Sequence, residues 1–426
     1  MMVLSLMFVT LIVFLVIGVP IAYAIGGSGM LYMLLSNPSF LLTFPQRVWS
    51  GTESFIIIAM PLFMLTGELM NHSGLTRRLI DFSMLLVHPF GGGLGEVNVV
   101  SSMIFGGISG SSVADTSALG SILIPDMVKK GYPKSFAAGI TVASSTIGMI
   151  IPPSVPMLMY AMVSGASVGR LFLAGLIPGI LVGATQLIIT NVISRKEGYH
   201  PKKEKIALKK MVKITKDGSL AMFMPILIIV SVSAGIATAS ESAGVAVLYA
   251  SILGFFVYKE LRWKDVGKAL KKTLMMSSSI MIIGGFTMIF TWILAVEQVP
   301  AHIGSFLMGS NIPSWLVYIF LDIIILVLGT FLDVTPCILL ISPILLPVME
   351  QFGMNELQFG AIIIVGLAIG LVTPPVGMCL NVASKICNMP IIEIFKSAIP
   401  FIACNIIVLV MITFIPSLSL WLPSLM

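Results

Sequence analysis

The chain repeats itself at long range. Gly148-Met149-Ile150-Ile151-Pro152-Pro153 matches Gly370-Leu371-Val372-Thr373-Pro374-Pro375 at an offset of 222 residues. Without gaps, the same offset places Gly107 on Gly329, Pro125 on Pro347, Gly131 on Gly353 and Pro178 on Pro400. The charges beside these landmarks do not repeat. Lys129, Lys130 and Lys134 follow Pro125, whereas Glu350 and Glu356 follow Pro347. Lys and Arg are retained in cytoplasmic loops, and acids carry little topological weight. The pattern therefore predicts two copies of one unit that cross a membrane in opposite directions.

Composition requires the membrane. Of 426 residues, 57% are hydrophobic and only 10% charged, too little charge to cover a soluble fold of this length. Apolar stretches long enough for a bilayer core of about 30 Å recur along the chain. Most of the 24 Lys and Arg fall between Arg195 and Lys216 (Lys202, Lys203 and Lys205 among them) or between Lys259 and Lys272. With no aromatic platform beside them, these clusters read as cytoplasmic and lipid anchors, not a nucleic-acid surface. Cys337, Cys379, Cys387 and Cys404 lie in apolar sequence without metal-type spacing and read as inert core residues. No phosphate-binding G-x-x-x-x-G-K-[ST] loop, H-E-x-x-H or C-x-x-C pattern occurs, so neither ATP hydrolysis nor zinc chemistry is indicated.

The predicted fold class is an all-α polytopic membrane protein. Residues 1–51 hold one N-terminal span bent at Pro20. Repeat 1 covers 52–194, with a re-entrant helical hairpin over about 88–125 and a Pro-Pro-broken helix over 135–165. That hairpin opens on Gly91-Gly92-Gly93-Leu94-Gly95, and its arms are expected to be near a dozen residues, ending at proline. Basic loops and a connecting two-helix hairpin fill 195–272. Repeat 2 covers 273–426, with a hairpin over about 312–348, a broken helix over 358–386 and a final span. The basic loops then share one side, which puts the N-terminus in the cytoplasm and the C-terminus outside. The 29 Met residues read as lipid-facing or core filler.

Irregular backbone survives at membrane depth only when buried in protein or lining a cavity. Four such places stand out: the tips at 106–112 and 329–336, and the breaks at 151–154 and 373–375. Each Pro-Pro pair (Pro152-Pro153, Pro374-Pro375) removes two amide donors and leaves carbonyls upstream without partners. Such oxygens suit a small hard cation, Na⁺ first among them. One cation site is expected among Gly107, Ser109, Ser111, Ser112, Ser144 and Ser145. The other is expected among Gly329, Asp333, Thr335, Gly370 and Thr373. Interhelical hydrogen bonding would also use these serines. Asp115 and Asp333 lie deep in apolar sequence, where a carboxylate costs roughly 2.5–3.5 kcal/mol and needs a partner or a task. Asp115 could serve the site or cap the helix that follows.

The run from Phe105 through Asp115, with Ile151-Pro152-Pro153-Ser154, Leu171 through Gly179 and Thr373-Pro374-Pro375-Val376-Gly377, resembles the large membrane subunit of tripartite ATP-independent periplasmic (TRAP) transporters. The likeness runs over essentially the whole chain and is nearest the sialic acid branch. It implies a Na⁺-coupled importer of an organic acid, sialic acid or C4-dicarboxylate, in a bacterial inner membrane, and not an enzyme. It implies an elevator mechanism with scaffold and transport domains, and no cofactor beyond the coupling ion. The implied partners are a small four-helix membrane subunit and a periplasmic substrate-binding protein. The substrate would sit between the tips, near Ser112, Asp115, Ser154 and Asp333. Two alternatives stay open: a stand-alone dicarboxylate/Na⁺ symporter and a non-transporting assembly subunit.

Overall fold

The computed structural model describes residues 2–87, 93–199, 208–310 and 312–426. Gly91, Gly92, Lys202, Lys203 and Lys205 lie outside the described residues. The described chain is helical, and eight of its helices are long and apolar enough to cross a bilayer.

Repeat 1 begins with α4 (Phe55–His72) and α5 (Leu75–Val87), preceded by α1 (Met2–Ile17), α2 (Ile21–Ser36) and α3 (Thr43–Thr52). The first hairpin is α6 (Leu94–Ser109) and α7 (Ser112–Lys129). The broken helix is α8 (Lys134–Ser145), α9 (Ile147–Ile150) and α10 (Val155–Ser164), and α11 (Val168–Lys196) follows. The connecting pair is α12 (Leu208–Ser233) and α13 (Ala239–Ile252). Repeat 2 runs through α14 (Trp263–Val296), α15 (Val299–Gly309), the hairpin α16 (Ser314–Phe331) and α17 (Val334–Gln351), the broken helix α18 (Glu356–Gly370) and α19 (Met378–Cys387), and α20 (Ile391–Phe414).

The offset of 222 carries α7 onto α17 at both ends, and carries the C-terminus of α6 onto that of α16. The packing is exchanged between the copies. Helix α10 of repeat 1 lies on α17 of repeat 2, and α19 of repeat 2 lies on α7 of repeat 1. Each broken helix is thus finished against the other copy's hairpin, which joins the repeats in one core.

Two expectations need correction. Residues 2–35 are not one bent span. Gly18 adopts φ +88°, and Gly18 and Val19 donate their amides to Leu15 O and Phe14 O, a helix ending that suits a residue without Cβ. Pro20 then starts α2, which folds back on α1 so that Phe14 lies against Gly27. The hairpin arms are also longer than a dozen residues: 16 in α6 and 18 in each of α7, α16 and α17. Proline does not end them, because α7 continues through Pro125, and α17 through Pro343 and Pro347. At about 1.5 Å per residue each arm is roughly 24–27 Å long.

Candidate functional site

Both tips meet their own repeat's Pro-Pro break. In repeat 1, Ser109 ends α6, Gly110 adopts φ +61°, and Ser111 caps α7 through the Ala114 amide. A side chain on Gly110 would press on Pro153 O and the Val155 amide at 3.1 Å, so glycine lets the tip lie on the break. Gly107 makes the same kind of approach to Pro152 O. In repeat 2 the contact is a hydrogen bond from the Val376 amide to Thr330 O, 3.3 Å. Both prolyl pairs are joined by cis peptide bonds.

Behind each tip, glycine faces glycine. Gly106 lies against Gly148, and Gly329 against Gly370. The sequence offset pairs Gly107 with Gly329, so the tight contact in repeat 1 falls one residue earlier than its counterpart.

Around the first tip the buried polar side chains form three separate hydrogen-bonded groups. Ser109 donates to Asp115 Oδ1. Ser112 Oγ lies 3.0 Å from Ser145 Oγ, and Thr116 donates to Ser145 at 2.8 Å. The other Asp115 oxygen, Oδ2, is buried without a partner and faces Gly148, where any side chain would overlap it. Asp115 has no solvent exposure. Ser144 turns away from the tip: it accepts from Ser102 at 2.9 Å and donates to Asn98 at 3.2 Å, and Asn98 in turn donates to Thr141 at 2.6 Å. The structure therefore gathers Ser109, Ser112, Asp115 and Ser145, and sets Ser144 in a supporting layer.

The second tip is sparser. Asp333 caps α17 by accepting from the Val334 amide at 2.8 Å, and Thr373 donates back to Ile369 O at 2.8 Å. Gly329 and Gly370 supply the backbone approach.

Between the tips and helices α4 and α14 lies a cavity of about 440 Å³. Ser109, Ser111, Ser112, Asp333 and Thr335 line it on the tip side. Of the four residues expected at the substrate, Ser112 and Asp333 line the cavity, whereas Asp115 and Ser154 do not. Asp115 is directed inward at the first tip. Ser154 is spent on structure, donating to Met149 O at 2.5 Å and capping α10.

Sequence reasoning missed several participants. Cys379 on α19 places its Sγ 3.2 Å from Ser112 Oγ, so repeat 2 touches the first site directly. Only the exchanged packing brings it there, and nothing local in the sequence signals it. Glu68 lines the cavity and pairs with Lys272 at 2.5 Å. Asn98 did carry a signal, being an amide inside an apolar run. The methionines were misread in part, because Met64, Met149, Met275, Met276 and Met378 line the cavity.

Exchanged repeats, broken helices and a central cavity define a multi-pass membrane transporter of the two-hairpin kind. The family model for the tripartite ATP-independent periplasmic transporter, DctM component, matches residues 8–418, and the chain belongs to that family. It is 33% identical to the C4-dicarboxylate TRAP transporter large permease protein DctM of Pseudomonas aeruginosa, covering 94% of both chains. It is 34% identical to the sialic acid TRAP transporter large permease protein SiaM of Vibrio cholerae, over 96% of this chain and 95% of that one. The crystal structure of the Alcanivorax borkumensis YdaH transporter shares the fold at a TM-score of 0.62 and 13% identity, covering 90% and 88% of the two chains.

Proposed function

We propose that this TRAP large permease is a Na⁺-coupled importer of an organic acid in a bacterial inner membrane, of the broad class (C4-dicarboxylate or sialic acid) in its relatives' names. The observation that carries the Na⁺ reading is Asp115 Oδ2, a carboxylate oxygen without partner at a tip rich in hydroxyls. A buried anion needs a compensating charge. No cluster of three His, Cys, Asp or Glu forms among the described residues, and the donors present are the hard oxygens that Na⁺ prefers. Asp115, Ser109, Ser112 and Ser145 would hold one ion, with Gly107 and Ser111 at its edge. Asp333, Thr335, Thr373 and the backbone at Gly329 and Gly370 would hold another.

The two ions order the tips and complete the cavity as a substrate pocket. The empty and the fully loaded carrier move, and partly loaded forms do not. In an elevator, α6–α11 and α16–α20 would carry the cavity past a scaffold that includes α4 and α14. Excess Na⁺ over substrate charge makes import voltage-driven, at about 2.3 kcal/mol per net charge per 100 mV. A periplasmic binding protein delivers the acid, and a small four-helix subunit steadies the scaffold. With Lys129 and Lys130 in the cytoplasm, the C-terminus is periplasmic. If α1 and α2 each cross the bilayer, the N-terminus would be periplasmic as well, instead of cytoplasmic.

Uptake by proteoliposomes holding both membrane subunits tests this reading, with the cognate binding protein outside and Na⁺ replaced by choline at equal ionic strength. Uptake should require Na⁺ and the binding protein together. Transport indifferent to Na⁺ would refute the coupling, and transport without the binding protein would favour a stand-alone symporter.

A further inference from the structure

One buried acid has no part in either tip or in the cavity. Asp322 lies midway along α16 and is only 6% exposed, although its neighbours Phe320 and Ile323 belong to the arm's exposed apolar face. Its polar contact is Thr413 of α20, whose Oγ1 stands 3.1 Å from Asp322 Oδ1 and 2.9 Å from Leu409 O. A threonine hydroxyl has a single hydrogen for these two acceptors. Leu409 O, one turn back on the same helix, is the nearer and is the usual acceptor for a helical threonine. Gln358 of α18 reaches the same turn of α20, but its amide hydrogens go to Ile412 O at 3.1 Å and Thr413 O at 3.0 Å. The hydrogen count closes when Asp322 itself is the donor to Thr413.

The surrounding charges point the same way. Helix α16 packs on α18 and α20 and touches α17. The charged residues of these helices are Glu356 on α18, Glu350 on α17, and Glu393 and Lys396 on α20, with Asp333 capping α17. The acids oppose another negative charge. Lys396, the one cation, lies 17 residues before Thr413, about 25 Å along α20. Of the other titratable groups, Tyr318 gives its hydroxyl to Phe352 O at 2.7 Å, and Cys337 and Cys404 offer only thiols. A carboxylate at this place would be buried without a counter-charge. Repeat 1 treats its acid differently. The offset of 222 sets Thr413 on Asn191, and Asn191 donates to Glu96 of α6 at 2.6 Å. Glu96 itself maps to Tyr318, one helical turn from Asp322. An amide nitrogen only donates, so Glu96 is served as an acceptor, whereas a hydroxyl already committed to Leu409 O can only accept from Asp322.

We propose that Asp322 is a proton-binding site of the carrier: its carboxyl keeps a proton at neutral pH, donates it to Thr413 Oγ1, and leaves α16 uncharged within the bilayer. The site is separate from the cavity and from both proposed Na⁺ sites, so it rests neither on the substrate nor on the coupling ion.

The test is attenuated-total-reflection infrared spectroscopy of the complex of both membrane subunits in a lipid film, at neutral pH and saturating Na⁺, in H₂O and in D₂O. The wild type should show the carbonyl band of a protonated carboxyl, moved to lower frequency by deuterium. Asp322→Asn should lose that band with an unchanged melting profile, because its amide can donate to Thr413 as the acid does. Bands from any other protonated carboxyl cancel in the difference between wild type and variant. Thr413→Val, which removes the acceptor and keeps the side chain's shape, should move the band to higher frequency. Absence of the band from the wild type, or a band of equal intensity in Asp322→Asn, would overturn the proposal. Should Asp322→Asn fail to assemble, a band that stays in place in Thr413→Val would overturn it instead.

Discussion

The two tips share a backbone plan and differ in cover. At the first, Pro152, Pro153 and Ser154 are buried, Pro225 of α12 packs on Gly107, and Asp115 is fully buried with Ser109 bonded to it. At the second, Pro375 and Val376 are exposed and Phe331 is 60% exposed. The hairpin arms follow suit: α6 and α7 pack along each other, whereas α16 and α17 hardly touch. Duplication thus supplied two equivalent geometries, and the surroundings made one a closed site and the other an open one. If the first tip holds Na⁺ as proposed, its cover would keep the ion until the tip moves. The less covered tip would release its ion more readily.

That contrast can be broken by substitution. The largest effect is expected from Asp115→Asn, which removes the closed site's only carboxylate. Apparent Na⁺ affinity in an uptake assay should fall about 100-fold, the scale for removing one partner of a buried charge pair. Next come Gly370→Ala, whose methyl would strike the Gly329 backbone, and Gly148→Ala, whose methyl would strike Asp115. Overpacking of this kind costs roughly 1–3 kcal/mol, so uptake should drop about tenfold at normal membrane levels, with Gly370→Ala the worse because backbone cannot yield. Asp333→Asn acts at a group less completely buried than Asp115 and should weaken Na⁺ dependence less, about tenfold. Smallest is Cys379→Ala, which removes a weak thiol contact to Ser112 and should alter apparent Na⁺ affinity about twofold. Na⁺ should also slow alkylation of Cys379, because the thiol is buried against the closed site. Equal responses of Asp115→Asn and Asp333→Asn would erase the contrast.

The plan of the fold was open to reading because its determinants are local. Glycine at the tips, paired prolines at the breaks and asymmetric lysines each act through backbone geometry or loop charge, and the offset of 222 relates the ends of α7 to those of α17, although both helices run past the expected ends at about 125 and 348. Features set by tertiary packing were not legible. Whether residues 2–36 run straight or fold back depends on Gly18 taking a left-handed conformation, which the residue permits but does not dictate. Helices run through Pro125, Pro343 and Pro347 where proline alone suggested an end. Asp115 and Ser154 look alike as polar residues near irregular backbone. The fold directs one to the first tip and spends the other on a cap. The contribution of Cys379 exists only because α19 crosses onto the other repeat.

The central claim is that two unlike Na⁺ sites flank one cavity. Its most direct measurement is a Na⁺ titration of the purified complex at constant ionic strength, read by melting temperature, for wild type, Asp115→Asn, Asp333→Asn and the double variant. Two saturable rises are expected in the wild type, a different one shifted to higher Na⁺ in each single variant, and both shifted in the double. An unchanged titration in both single variants would contradict the claim.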